Sequence, residues 1–278
     1  MTIISFSVLI FIFSFFAGCL GAITGIGGGI IIIPILVLFF HINIHYAMGA
    51  SLISAMTTST SAAYAYMREG YTNFRIGIFL ESIAVIGALV GALLIPLLSK
   101  SFIAFLLSLV LFLSSYLTIK RKEEYETYET SHRWAVALKL DDQYLLNKQV
   151  KPYHVQKVPF AFFMMGIAGM LSGLLGIGAG SLKVLVMDQA LRLPYIVATA
   201  TSNYMIGITA AVSAGIYFAQ GYIEPHITFS VMLGVTLGAF LGAKILKIIS
   251  SRALRIIFSL VISLVGVQLM YDALSGNL

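Results

Sequence analysis

Read for the alternation of apolar and polar positions, the chain falls into two series of five apolar segments, separated by one long polar stretch. The first series covers 3–24, 28–40, 46–67, 76–98 and 102–119; the second covers 159–175, 181–191, 195–219, 227–249 and 253–271. Most of these segments have no polar face, which predicts helices with apolar surroundings on every side. Runs of about 18 residues or more suffice to cross a hydrocarbon core of roughly 30 Å. The second segment of each series is too short: thirteen residues rise only roughly 20 Å as a helix, which predicts a half-helix that ends inside the membrane.

The two series are copies. At an offset of 151 residues, Ala17-Gly18 matches Ala168-Gly169, and Gly25-Ile26-Gly27-Gly28-Gly29 matches Gly176-Ile177-Gly178-Ala179-Gly180. In the same register Gly70-Tyr71 matches Gly221-Tyr222, and the Gly87–Ala92 stretch matches Gly238–Ala243. Four matches in one register predict a duplication. The expected organisation is a transmembrane repeat at 1–119, a linker loop at 120–157 and a second repeat at 158–278.

Composition strengthens the membrane reading. Of 278 residues, 59% are hydrophobic and only 10% charged, with a mean hydropathy of +0.98, so the chain carries more apolar surface than a soluble domain could bury. The net charge of +6 suggests nucleic acid only superficially, because its 17 Lys and Arg lie in a few loops, as positive-inside orientation requires. No nucleic-acid partner is expected. With the loop 120–157 inside and five passes per half, Arg68, Arg75, Arg192, Lys244, Lys247, Arg252 and Arg255 also lie inside, and only Lys100 lies outside. Four passes would put six of these basic residues outside. The charges therefore favour two inverted repeats in an all-α integral membrane fold of 8–10 transmembrane helices, with both termini outside. The loop, with eight Lys or Arg against six Asp or Glu, reads as a solvated linker. Residues 3–16 look like the apolar part of a signal peptide. No Lys or Arg precedes Arg68, however, and the apolar run continues past Cys19, the sole cysteine, so a further span is expected there. One cysteine allows neither a disulfide framework nor a Cys-based metal site, and no cofactor is called for.

The glycine clusters carry the candidate chemistry. At Gly25, Gly27, Gly28 and Gly29, and again at Gly176, Gly178 and Gly180, the chain must break its helix within the membrane, and the freed N–H groups need protein, water or a ligand. A half-helix starting there would aim unpaired N–H groups and the positive end of its dipole inward, which suits an anion. The alternative is close helix packing alone, as expected at Gly87/Gly91 and Gly238/Gly242. Ser51 and Ser202 occupy equivalent positions and, with Thr201 and Asn203, offer polar donors; interhelical hydrogen bonding is their structural alternative. Lys183 follows the second cluster by three residues, where a cation opposes the dipole unless an anion or acid compensates it. It is the expected charged ligand, with a lysine reaching the interface as the alternative. Glu81 lies within its span and has no acidic counterpart at Met232; it is the candidate for proton coupling, unless a partner such as Lys100 or a polar cavity explains it. Neither a nucleophile–base pair nor a metal-ligand cluster has usable spacing, so no enzyme is expected.

With these residues in view, the sequence resembles the sulfite exporter TauE/SafE family of membrane transporters. The likeness rests on the glycine loop with Pro34, Ala47-Met48-Gly49-Ala50-Ser51, Gly176 to Gly180, Ala198-Thr199-Ala200-Thr201-Ser202, Gly221 and Gly238-Ala239. It covers nearly the whole chain apart from the central loop. The resemblance implies transport of sulfite, another sulfur oxyanion or an organosulfonate across a prokaryotic plasma membrane. A passive anion channel and a scaffold without transport activity are the competing readings. The expected partners are a small anion and the lipid bilayer, and a homo-oligomer is left open.

Overall fold

A computed structural model describes residues 3–24, 27–119, 130–146, 149–245 and 251–275. The first half consists of α1 (Ile3–Thr24), α2 (Gly29–Pro34), α3 (Ile44–Arg68), α4 (Phe74–Leu94) and α5 (Lys100–Ile119). After α6 (Arg133–Ala137) and a hairpin of β1 (Asp142–Leu146) and β2 (Gln149–Tyr153), the second half repeats the order. It comprises α7 (Val158–Leu175), α8 (Gly180–Leu185), α9 (Tyr195–Ala219), α10 (Pro225–Ile245) and α11 (Ser251–Ser275). Five of the described helices, α1, α4, α7, α9 and α10, are both long and apolar enough to cross a membrane. The protein is therefore an all-α, multi-pass membrane protein.

Helix ends follow local chemistry. Asn43 and Asn73 cap α3 and α4, accepting the N–H of His45 at 3.2 Å and of Ile76 at 3.0 Å. Gly70 and Gly221, equivalent positions, turn the chain after α3 and α9 with φ of +74° and +75°. Each short helix continues into a wider π turn, Ile35–Phe39 after α2 and Val186–Ala190 after α8. Pro34 precedes the first turn, yet Leu185 stands in its place before the second, so proline is not what produces the turn.

The halves pack by exchange. Gly234, Gly238 and Gly242 of α10 lie against the backbone of Phe11, Phe15 and Cys19 of α1 in turn, so these two helices run in the same direction. The equivalent seam joins the other two partners: Gly87 and Gly91 of α4 lie against Gly166 and Met170 of α7, again in parallel. Any side chain in these seams would strike backbone, the expected use of small residues four apart. At the centre α3 and α9 run antiparallel, for Tyr217 Oη reaches Met48 Sδ at 4.0 Å while Gly207 faces Ser59. α5 and α11 are antiparallel too, with Ser115 bonded to Ser263 Oγ at 2.7 Å and Ser108 to Met270 Sδ at 3.5 Å. Within the first half, Gly28 lies beside Gly18 while Phe40 stacks edge-on with Phe6, centroids 5.5 Å apart. The short segment thus runs back along α1 toward that helix's own start.

The loop departs from the expected solvated linker. From residue 130 it folds into a lobe docked on the ends of α4 and of the π turn after α8. Asn73 Nδ2 donates to Tyr153 Oη at 2.8 Å and to the Leu140 carbonyl at 3.1 Å, and the Gln156 N–H donates to the Leu191 carbonyl at 3.1 Å. Ala135, Leu140, Tyr153 and Val155 are buried beneath it, and burial pushes the Tyr153 phenol well above its ordinary range. These four residues supply an apolar face that the loop's mixed charges conceal.

Candidate functional site

The helix breaks lie level with the middle of α3 and α9. Gly28 sits beside Ser54 and Thr58, about half way along α3, and Gly178 sits beside Ile206, about half way along α9. Gly27 and Gly178 take φ of +87° and +68°, conformations that side chains disfavour by about 1–2 kcal/mol. In the second loop Ala179 adopts φ of +45° where its counterpart Gly28 is right-handed at −66°. Gly25 lies outside the described residues.

Two equivalent hydroxyls tie the breaks to the central helices. Ser51 Oγ donates to the Gly29 carbonyl at 2.8 Å, and Ser202 Oγ donates to the Gly180 carbonyl at 3.3 Å. The Gly28 N–H donates to Thr58 Oγ1 at 3.3 Å. Ala55 stands between the loops: a methyl group on Gly29 would lie 3.3 Å from its Cβ, and one on Gly178 would lie 3.1 Å away. The fold therefore brings together Gly27, Gly28, Gly29, Ser51, Gly176, Gly178, Gly180 and Ser202. Ser54 Oγ, buried beside Gly28, makes no hydrogen bond within the described residues.

One turn along α9 from Ile206 lies the most polar cluster of the core. Lys183 of α8 is wholly buried, and its Nζ lies 3.1 Å from Oε2 of Glu81 on α4, itself 4% exposed. Lys183 Nζ also donates to Thr209 Oγ1 on α9, whose single hydroxyl hydrogen has two acceptors in reach, Glu81 Oε1 and the Met205 carbonyl, each at 2.7 Å. A lone buried charge would be several kcal/mol unfavourable, so each charge is tolerable only beside the other and with hydrogen bonds around it. The duplicated positions do not repeat the cluster. Thr58 matches Thr209, but Ile32 stands for Lys183 and Met232 for Glu81.

The remaining candidates lie apart. Thr201 Oγ1 accepts the Asn73 N–H at 3.1 Å, which places it at the lobe end of α9, and Asn203 Nδ2 donates to the Thr199 carbonyl of its own helix at 2.9 Å. Lys100, considered as a partner for Glu81, is exposed at the start of α5. Sequence reasoning missed Thr209 and the Glu81–Lys183 pair. The available signal was two isolated charges of opposite sign inside apolar segments, each in need of a partner. Among the described residues no three His, Cys, Asp or Glu side chains stand together as a metal site would require. A cavity of about 490 Å³ opens at the face opposite the lobe, with Phe39, His41, Gln268 and Asp272 in its lining.

The sequence profile of a family described as sulfite exporter TauE/SafE matches residues 10–269. The chain is 29% identical over 265 residues to a Bacillus subtilis protein named probable membrane transporter protein YdhB, covering 95% of this chain and 100% of that one. It is 25% identical over 275 residues to probable membrane transporter protein YunE of the same organism, covering 96% and 98%. A Methanocaldococcus jannaschii relative, probable membrane transporter protein MJ0441, is 24% identical over 282 residues, covering 93% of each. No solved structure matches.

Proposed function

This chain belongs to the sulfite exporter TauE/SafE family of membrane transporters, and from that premise we propose that it is a secondary transporter of a small anion in the plasma membrane. The substrate in this reading is sulfite, which the family's description names, or a chemically related sulfur oxyanion or organosulfonate. The observation that carries the reading is Lys183, a fully buried cation three residues past the second helix break, which meets the first break across Ala55. A cation in that position attracts an anion to mid-membrane, where lipid alone excludes one. A closed ion pair there would block a standing pore, which favours a carrier that alternates over a passive channel.

The repeats are inverted in this reading, with termini outside and the lobe inside. Support comes from the antiparallel course of α3 with α9 and of α5 with α11, because a two-fold axis along the membrane normal would make each pair parallel. The backward course of residues 29–40 along α1 supplies the fifth pass. Uptake of labelled sulfite, thiosulfate and methanesulfonate into proteoliposomes tests the function. Counterflow of at least one of them, absent from empty vesicles, is the expected result. No counterflow with any of the three would reject it.

A further inference from the structure

We propose that Lys183 is held alternately by Glu81 and by the transported anion, so that one proton moves with each anion in the same direction. The inference rests on the transport reading above and adds the coupling ion. It starts from the closed pair: Lys183 Nζ already has Glu81 Oε2 at 3.1 Å and Thr209 beside it, and all three are buried. An anion that entered next to an ionised Glu81 would place two negative charges against one cation in a medium of low dielectric. That leaves a net buried charge, the arrangement proteins tolerate least. A proton taken up on a Glu81 carboxylate oxygen removes the conflict, since the neutral acid releases Lys183 to the anion. Deprotonation and anion departure restore the original pair.

Both end states are then electrically neutral. The empty site holds Lys183 and the Glu81 carboxylate; the loaded site holds Lys183, a monovalent anion and the Glu81 acid. Neutral states can reorient across the membrane without carrying a bare charge through it, whereas an anion loaded without its proton cannot. That is why the coupling is symport and not exchange. Thr209 is the positioning residue. Its hydroxyl reaches both Glu81 Oε1 and the Met205 carbonyl at 2.7 Å, so it donates to the carboxylate in the empty state and to the carbonyl once Glu81 is protonated. Thr58 makes the second of these bonds, to the Ser54 carbonyl at 2.7 Å.

The other groups around Glu81 do not compete for the proton. α7, packed along α4, has no ionisable side chain, and α9 contributes only the phenols Tyr195, Tyr204 and Tyr217. α8 contributes Lys183 alone, and Arg75 at the start of α4 is bonded to the Lys139 carbonyl in the lobe. With Ile32 and Met232 in the equivalent places, the duplication does not supply a second such site. Outward flow then requires the anion's own gradient to exceed an opposing proton gradient.

The test uses purified full-length protein in proteoliposomes with a trapped pH dye, and as probe whichever of labelled sulfite, thiosulfate or methanesulfonate gives wild-type counterflow. Wild type is expected to accumulate the probe when the outside is acid, with the lumen acidifying by one proton per monovalent anion. Its counterflow should fall up to tenfold per pH unit as Glu81 ionises. Glu81→Gln, permanently neutral, is expected to give a flat pH profile and to carry no protons. Should Glu81→Gln fail to fold, judged by gel filtration, the wild-type proton count decides alone. Probe movement without protons in wild type, proton coupling that survives in Glu81→Gln, or a folded Glu81→Gln with no counterflow would each overturn the proposal. Counterflow absent from wild type for all three probes would instead reject the transport reading beneath it.

Discussion

Thr58 and Thr209 occupy equivalent positions in the two halves and serve different neighbours: Thr58 Oγ1 accepts the N–H of Gly28 at 3.3 Å, whereas Thr209 Oγ1 holds Lys183 and Glu81. The duplication kept the hydroxyl and its bond to the preceding turn, and changed what the hydroxyl faces. One half fastens its helix break with a backbone bond, and the other places a charge pair nearby. The site is thus asymmetric inside a symmetric frame.

That asymmetry sets up a substitution from one half into the other. Glu81→Met alone leaves Lys183 buried and unpaired, and a loss of about 3–5 kcal/mol in stability is expected. Adding Lys183→Ile, which installs the pair found at Met232 and Ile32, should recover most of that loss and leave no transport. Thermal melts in detergent, arranged as a double-mutant cycle, measure both steps; additive losses would show that the pair does not interact.

Lys183→Gln removes the charge and keeps a donor. Loss of charge-assisted hydrogen bonds of about 1.5–3 kcal/mol should weaken anion binding roughly ten- to a hundred-fold. Titration calorimetry with the transported probe reads this directly, and unchanged affinity would return Lys183 to a purely structural role.

At Gly178 and Gly28 the breaks should tolerate no bulky side chain. A Cβ on Gly178 would meet Ile206 Cγ2 at 2.9 Å on a backbone with φ of +68°, and one on Gly28 would meet Ser54 Oγ at 3.1 Å. Gly178→Val and Gly28→Val are expected to insert into membranes and to transport nothing. Normal counterflow in either would take that loop out of the site.

The lobe hangs on Asn73. Asn73→Ala removes two hydrogen bonds to the lobe, each about 1 kcal/mol, together with a helix cap of similar worth. Faster tryptic cleavage at Arg133 and Lys139 should follow; an unchanged digestion rate would mean that the lobe is held elsewhere.

Orientation can be read with single cysteines on a Cys19→Ser background. His226→Cys, exposed at the start of α10, should react with an impermeant reagent from outside, and Lys139→Cys only after the membrane is opened. Labelling of His226→Cys and Lys139→Cys from the same side would show the repeats not to be inverted.

The helices, the duplication and the two breaks were legible because each depends on local composition: long apolar runs, and glycines where a helix must stop. The lobe was not, since its four buried apolar residues are scattered among charges, and β1 and β2 are too short to show a period. Nor was the Glu81–Lys183 pair, because its members are 102 positions apart and meet only after α4 of one half packs beside α8 and α9 of the other. Lys100, the nearest cation on the far side of Glu81 in sequence, was the natural suggestion, and packing placed it at the surface instead.

The exchange of partners between the halves also governs how the chain is made. The small-residue faces of α1 and α4 find their mates only on α10 and α7. When synthesis has reached the lobe, the first half therefore lies in the bilayer with both of these faces still open. Assembly is in effect a dimerisation of two non-identical halves within one polypeptide, completed when α10 and then α11, the mate of α5, emerge. The same logic makes the residues before the lobe a natural place to divide the gene, for two separately expressed halves carry complementary surfaces and every contact needed to find each other.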